Sequence, residues 1–384
     1  MAVRSESEAA TAALPAEVDA NWQRVIRRRS FLKGVGAVGA SLSAGSVLAT
    51  GALAKGSKLT KSDADILRFL AAAEILESDL WTQYAELGGA NGGNPAYIAA
   101  LSNIDADMPQ YITDNTDDEL SHAAFINAYL DSRGAESVSL EEFRTLPSTK
   151  ATGANNKKRL TNLQKLNVDT SWYTRYRSGE NPDLGANING PLTISNEPAI
   201  PLTDADTPPN QQQPVPPTTS QQSRMQAIAN TAAFHFAMIE QGGSSLYTTL
   251  ALQVSDVEVL RIVVSIGGVE VDHFSLWHDK VGNAVSTPLA GVTDPETGLT
   301  FPDLNSPSPT ELKQTNKILP EPCDFLSDRL PEVSVIRPSS TAQSGAVAAI
   351  NGFVADQLFL GQSDDFLNAV MKLAKAADAA KRSV

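Results

Sequence analysis

The chain has 384 residues, 42% of them hydrophobic, enough to bury a substantial core in one large domain or two small ones. A formal charge of −14 and a pI near 4.8 exclude a nucleic-acid-binding surface, which needs clustered basic residues to neutralise phosphates. The single cysteine, Cys323, excludes an internal disulfide and any cysteine-rich zinc site. With no imidazole or basic neighbour in sequence, it reads as an inert thiol.

Residues 24–54 read RVIRRRSFLKGVGAVGASLSAGSVLATGALA. Arg28-Arg29-Ser30-Phe31-Leu32-Lys33 is followed by an uncharged run, Gly34 to Ala54, rich in Gly, Ala and Ser. That run is weakly hydrophobic for a permanent membrane span, and Ala52-Leu53-Ala54 supplies a small-x-small cleavage pattern. The segment resembles a twin-arginine export signal. The resemblance implies that residues 1–54 are removed, that the mature chain begins near Lys55, and that the twin-arginine machinery carries it already folded. A periplasmic or secreted location and no permanent membrane span are expected.

Helical periodicity then predicts a first helix over 62–87, with Ser62 and Asp65 as a capping pair and Gly88-Gly89 as its end. Asn94-Pro95 starts a second segment that Pro109 is expected to interrupt, after which a helix runs over 116–133 to Gly134. Two more helices are predicted over 223–252 and 255–281, with Ser223/Gln226 and Ser255/Glu258 as capping pairs. The pairs Gly242-Gly243 and Gly267-Gly268, unfavourable inside helices, suggest close packing or a local bulge beside a site. Between the helix pairs lies a crossover, 135–222, with a Pro/Gln-rich tract (207–222) that reads as a surface strap. An aromatic and arginine cluster within it, Val168–Gly185, reads as packing against the bundle. After 281 comes a Pro/Gly/Ser-rich region ending in one amphipathic helix over 364–382.

The fold class is therefore all-α: a four-helix bundle over 55–281 with a long crossover between its second and third helices and an extended C-terminal region, 282–384.

The chemistry-bearing residues follow the same division. Helix one offers Glu74 or Glu77, helix two Glu119-x-x-His122, helix three Glu240 and helix four Glu270-x-x-His273. Residues three apart lie about 60° from each other on one helix face, so an acid and an imidazole can converge on one cation. Dimetal carboxylate bundles use one glutamate from each of two helices and a Glu-x-x-His from each of the others. Four carboxylates also largely neutralise two divalent cations, which makes their burial tolerable. Leu70, Ala73 and Leu80 beside the first glutamates, and Phe236 and Ile239 beside Glu240, fit an inward face. His235 and His278 read as packed histidines; Asp118 and Asp272 are candidates to support the ligands from behind.

This pattern resembles the ferritin-like superfamily over about residues 59–281. The first helix, Ile66–Glu77 (ILRFLAAAEILE), is similar to that of an exported ferritin-like group that includes desiccation-related proteins. In that superfamily the ligating glutamate of helices one and three is commonly followed seven residues later by tyrosine. Glu240–Tyr247 and Glu77–Tyr84 fit, whereas Glu74 has Trp81 at that place, so both Glu74 and Glu77 stand as candidates. The resemblance implies two Fe or two Mn ions and redox chemistry with O2, peroxide or Fe(II): a ferroxidase, peroxidase or catalase-like oxidoreductase. A non-catalytic metal-binding, stress-protective or structural envelope protein is the alternative. The insert and tail disfavour a compact storage cage, and smaller homo-oligomers stay open.

Overall fold

In the computed structural model, residues 58–170, 192–206, 223–283, 291–302, 327, 329–333 and 344–383 are described. Residues 1–54, where an export signal is expected, the Pro/Gln tract 207–222, most of the Val168–Gly185 cluster and Cys323 lie outside them. Seven α-helices are present among the described residues: α1 Lys61–Gly88, α2 Pro95–Ile104, α3 Met108–Ser132, α4 Arg224–Ala251, α5 Val257–Asn283, α6 Ala346–Ala355 and α7 Asp364–Asp378. None of them is long and apolar enough to cross a membrane.

Helix α1 begins slightly earlier than its sequence suggests. Thr60, not Ser62, is the N-cap, its hydroxyl accepting from the Asp63 N–H at 3.0 Å. Pro109 does not interrupt a helix but lies in the first turn of α3, where its missing N–H has no intrahelical partner to lose. Gly134, at φ +69°, ends α3 as expected, and the Ala135 N–H reaches back to the Leu130 carbonyl. Ser223 caps α4 through the Gln226 N–H. At α5 the expected Ser255 cap is replaced by Asp256, whose carboxylate accepts from Glu258 N–H at 2.7 Å. Helices α4 and α5 run through both glycine pairs with no bulge. The expectation of close packing holds for Gly243 and Gly267 only, since a β-carbon on Gly242 or Gly268 would meet nothing within 4 Å.

The helices pair as α1 with α3 and α4 with α5. Aromatic rings join the two pairs: Trp81 stacks on Trp277 at 5.5 Å between centroids, and Phe236 lies 4.8 Å from each. Such fully buried rings contribute through area and through ring–ring geometry.

Part of the crossover falls within the described residues. It carries β1 (Leu166–Asp169) antiparallel to β2 (Thr193–Glu197), with an irregular register between Leu166 and Asn167. Asp79 on α1 anchors it: this buried carboxylate accepts from Leu160 N–H at 3.0 Å, Thr161 N–H at 2.9 Å and the Thr161 hydroxyl at 2.7 Å, and pairs with Arg144. A buried Arg159–Glu86 pair adds a second tie.

The C-terminal region contributes α6, unforeseen in its sequence, as well as α7. Phe366, Val370, Ala374 and Ala377 form the buried stripe of α7, at helical spacing, and α7 packs on α1 and α6. The Asp378 carboxylate accepts from the N–H groups of Ala346 and Val347, capping α6 from its neighbour. Phe366 sits edge-on to Phe143 of the crossover and to Phe359. Phe366→Ala should therefore lower the unfolding free energy by about 3–5 kcal/mol. Leu360→Ala, at a residue 49% exposed, should stay within about 0.5 kcal/mol of the parent. Equilibrium denaturation of the two variants checks both values.

Candidate metal centre

Each helix of the two main pairs turns at least one acid inward. Glu74 comes from α1, Glu119 and His122 from α3, Glu240 from α4, and Glu270 and His273 from α5. Glu74, Glu119, Glu240 and Glu270 are 0% exposed. These residues form two overlapping sets: Glu74, Glu119, His122 and Glu270, and Glu119, Glu240, Glu270 and His273. Within each set, one ligand atom per residue lies within 4.8 Å of every other. Glu119 and Glu270 belong to both. Both imidazoles present Nδ1 to the cluster. His122 Nδ1 is 3.3 Å from Glu74 and from Glu119, and His273 Nδ1 is 3.1 Å from Glu119 and 3.2 Å from Glu240.

Glu77 belongs to neither set. It is buried one turn further along α1, with no hydrogen-bond partner among the described residues, and it feels the cluster only through its charges. The seven-residue relation explains the choice between the two glutamates. The Trp81 indole N–H, seven residues after Glu74, donates to Glu240 at 2.9 Å, and the Tyr247 hydroxyl, seven residues after Glu240, donates to Glu74. Tryptophan thus does on α1 what tyrosine does on α4. Tyr84, which follows Glu77, bonds instead to His235 at 2.7 Å. His235 and His278 are fully buried away from the cluster, as expected; burial drives His235 down to about 3, so it is neutral.

Three supporting groups are not evident from the sequence alone. The Asn115 amide donates to Glu119 at 2.9 Å and to Glu240 at 3.1 Å, while its carbonyl accepts from the Trp277 indole at 2.8 Å. Asn115 lies four residues before Glu119, hence on the same face of α3, and that spacing was the available signal. Trp81 and Trp277 carried none beyond their size. Of the two aspartates considered, Asp118 accepts from His273 Nε2 at 3.1 Å, the arrangement that orients a ligating imidazole. Asp272 lines the cleft outside, about 450 Å³ in volume, together with Asp114, Asp118, Asp279 and His273.

The electrostatics show what the cluster lacks. Burial pushes Glu74 up to about 8, with the charge of Glu119 adding to it. Glu270 and Glu77 are driven well above the usual carboxylate range by burial and by the surrounding acids. Glu240 is raised by burial against the pull of His273. Burial also resists ionisation of Glu119, but hydrogen bonds from His122 and His273 outweigh it and bring the group down to about 2. For His122, the neighbouring carboxylates of Glu119 and Glu74 overcome burial and raise it to about 10, and His273 is raised chiefly by the charge of Glu240, with Asp118 and Glu119 adding to it. Of the four acids only Glu119 is brought below the usual carboxylate range, by two imidazoles that are themselves raised. Three further acids are left wanting positive charge. Both oxygens of Glu270 and Oε2 of Glu74 are buried without hydrogen-bond partners, a costly state that a cation relieves. The donor set, carboxylate oxygen and imidazole with no sulfur, suits divalent metal ions of the first transition row.

Helix packing leaves room for Glu270 only because Gly243 has no side chain: a β-carbon there would lie 2.2 Å from Glu270 Oε2. Gly243→Ala improves the helix propensity of α4 and forces the Glu270 carboxylate to move. The expected outcome is a folded protein with weakened metal uptake, measured by titration of the metal-free form. Gly268→Ala, where the added carbon meets nothing, should titrate like the parent.

Residues 62–283 match the ferritin-like domain family. No curated protein and no solved structure gives a significant match to the sequence. The matched span covers more than half of the chain and contains all four inward-facing helices with both Glu-x-x-His pairs, so the chain belongs to the ferritin-like domain family.

Proposed function

We propose that the cluster holds two Fe or two Mn ions. Glu74 and His122 serve one ion, Glu240 and His273 the other, and Glu119 and Glu270 are shared between them. Such a pair, when bound, supplies one-electron redox changes and open positions for O2, peroxide or the oxidation of Fe(II). The protein's own groups set the conditions. Asp118 holds His273 with Nδ1 inward, the Tyr247 and Trp81 donors orient Glu74 and Glu240, and Asn115 ties Glu119 to Glu240. The aromatic layer of Trp81, Phe236 and Trp277 keeps water from that side. The acidic rim of the cleft beside His273 raises the local concentration of cations.

The observation that carries this reading is Glu270: a fully buried carboxylate, shared by both sets, with neither oxygen bonded to protein. Elemental analysis of the purified protein should give about two metal ions per chain. Glu270→Ala and His122→Ala should each lose them while keeping helical circular dichroism. Metal content unchanged in both variants overturns the assignment. Oxygen and peroxide consumption by the loaded protein then separates an oxidoreductase from a non-catalytic metal-binding protein of the envelope.

The same proposal places the protein outside the cytoplasm, on the strength of Arg28-Arg29-Ser30-Phe31-Leu32-Lys33 and the uncharged run after it. Cell fractionation should find the mature chain in the periplasm or medium, and Arg28→Lys with Arg29→Lys should hold the uncleaved chain inside. Equal export of the double variant would refute the twin-arginine route.

A further inference from the structure

The outer side of α5 carries a row of residues that none of the roles above explains. Val257, Arg261, Val264, Gly268 and Asp272 recur at helical spacing and are all exposed. They fall within about 80° of arc, opposite the face that bears Glu270. Val257 and Val264 are 67% and 58% exposed. Valine is a poor helix former, so neither residue stands there for the sake of the helix itself. Phe125, 53% exposed, lies beside the row. It shares a stripe of α3 with Asp118 and Tyr129, which reach α5 through His273 and Glu258. An apolar row bounded by charged residues marks a contact surface.

The charges say what covers it. Arg261 and Asp272 stand about 16 Å apart along the helix, too far to pair with each other. Neither makes an ion pair with another described residue. They lie symmetrically about the middle of the row, where Ser265 and Gly268 are small and a β-carbon on Gly268 would meet nothing within 4 Å. A second α5 can be laid antiparallel across the first, with a two-fold axis between Ile266 and Gly267. Arg261 of each copy then faces Asp272 of the other, and Ser265 faces Gly268. Such a contact is isologous, the same patch serving both sides. With one cation and one anion the row is also electrically balanced, on a chain of formal charge −14. Two copies therefore meet here without the repulsion that an acidic surface imposes elsewhere. A partner of a single charge sign, an anionic lipid surface included, would leave Arg261 or Asp272 unmatched.

We propose that the protein forms a two-fold dimer through the outer face of α5, with Arg261 and Asp272 paired reciprocally between the copies and Val257, Val264 and Phe125 supplying the apolar contact. The inference does not depend on what the metal centre holds. It does place the second copy near it: Asp272 ends the row at the acidic cleft, so Arg261 of the other copy borders that cleft.

Light scattering of the purified protein should give twice the mass of the chain. Arg261→Asp sets acid against acid at both ends of the contact, and Asp272→Arg sets cation against cation. Each should raise the dissociation constant of the dimer at least about tenfold in sedimentation equilibrium. The double variant Arg261→Asp/Asp272→Arg should dimerise like the parent. An equimolar mixture of the two single variants should do so too, because every pair in the mixed dimer is again opposite in sign. Those two restorations separate direct pairing from a general change of surface charge. A monomeric parent overturns the proposal, whether the row then proves to be covered by another segment of this chain or by a different protein. Single variants that dimerise as the parent does overturn it as well, and so do a double variant and a mixture that stay monomeric.

Discussion

Burying four carboxylates in one dry space is the constraint around which this molecule is arranged. A single ionised acid at full burial is costly unless paired, and four side by side repel one another as well. The protein's own answer is partial: two imidazoles are held charged against Glu119, and the remaining acids are pushed toward their neutral forms. Two divalent cations would supply in full the charge that two imidazoles supply in part. The oxygens left without hydrogen-bond partners, on Glu270 and Glu74, mark where the deficit is greatest.

Positioning those acids falls to a frame that is nearly symmetric between the two helix pairs. Each lone glutamate is held by an aromatic donor from the opposite pair, Trp81 for Glu240 and Tyr247 for Glu74. Because each donor sits two turns along from a glutamate on its own helix, neither lone acid can shift without disturbing the other. Asn115 breaks the symmetry, bonding to Glu119 and Glu240 but to neither Glu74 nor Glu270, and so the second ligand set is the more tightly constrained. The small residues serve the same frame. Gly243 admits Glu270, and Gly267 lets α5 approach α4 so closely that a β-carbon there would lie 2.7 Å from that of Tyr247.

Much of this was legible in the sequence because the chemistry repeats at helical spacing. Glu119-x-x-His122 and Glu270-x-x-His273 name two inward faces, and Glu240 with its Tyr247 names a third. What escaped depends on contacts between elements. Glu74 and Glu77 could not be separated by spacing because an indole N–H does the work of a phenol, which only the position of Glu240 reveals. The α6 helix is short, Ala-rich and capped by Asp378, thirty-two residues from Ala346, so no local signal announces its start. Likewise β1 and β2 pair across residues 170–192, and their identity as strands comes from that pairing rather than from alternation within four or five residues. Two caps fall beside the expected serines, Thr60 rather than Ser62 and Asp256 rather than Ser255, because the exact start of a helix depends on which neighbouring side chain reaches the first free N–H groups.

The two sides of the centre differ in a way that follows from the same charge balance. On the His273 side the bundle opens into a cleft carrying Asp114, Asp118, Asp272 and Asp279, a wall that favours cations and repels anions. On the Gly243 side it meets a small cavity whose wall is chiefly apolar. The cluster thus has an acidic cleft beside one ligand set and a chiefly apolar cavity behind Glu270. The insert and the C-terminal helices, which a bare four-helix bundle does not require, build the second face: α6 closes the cavity, Asp378 at the end of α7 caps α6, and Phe366 ties α7 to the crossover through Phe143. The extra chain is thus structurally continuous with the centre, through a line of contacts that ends at the wall behind Glu270.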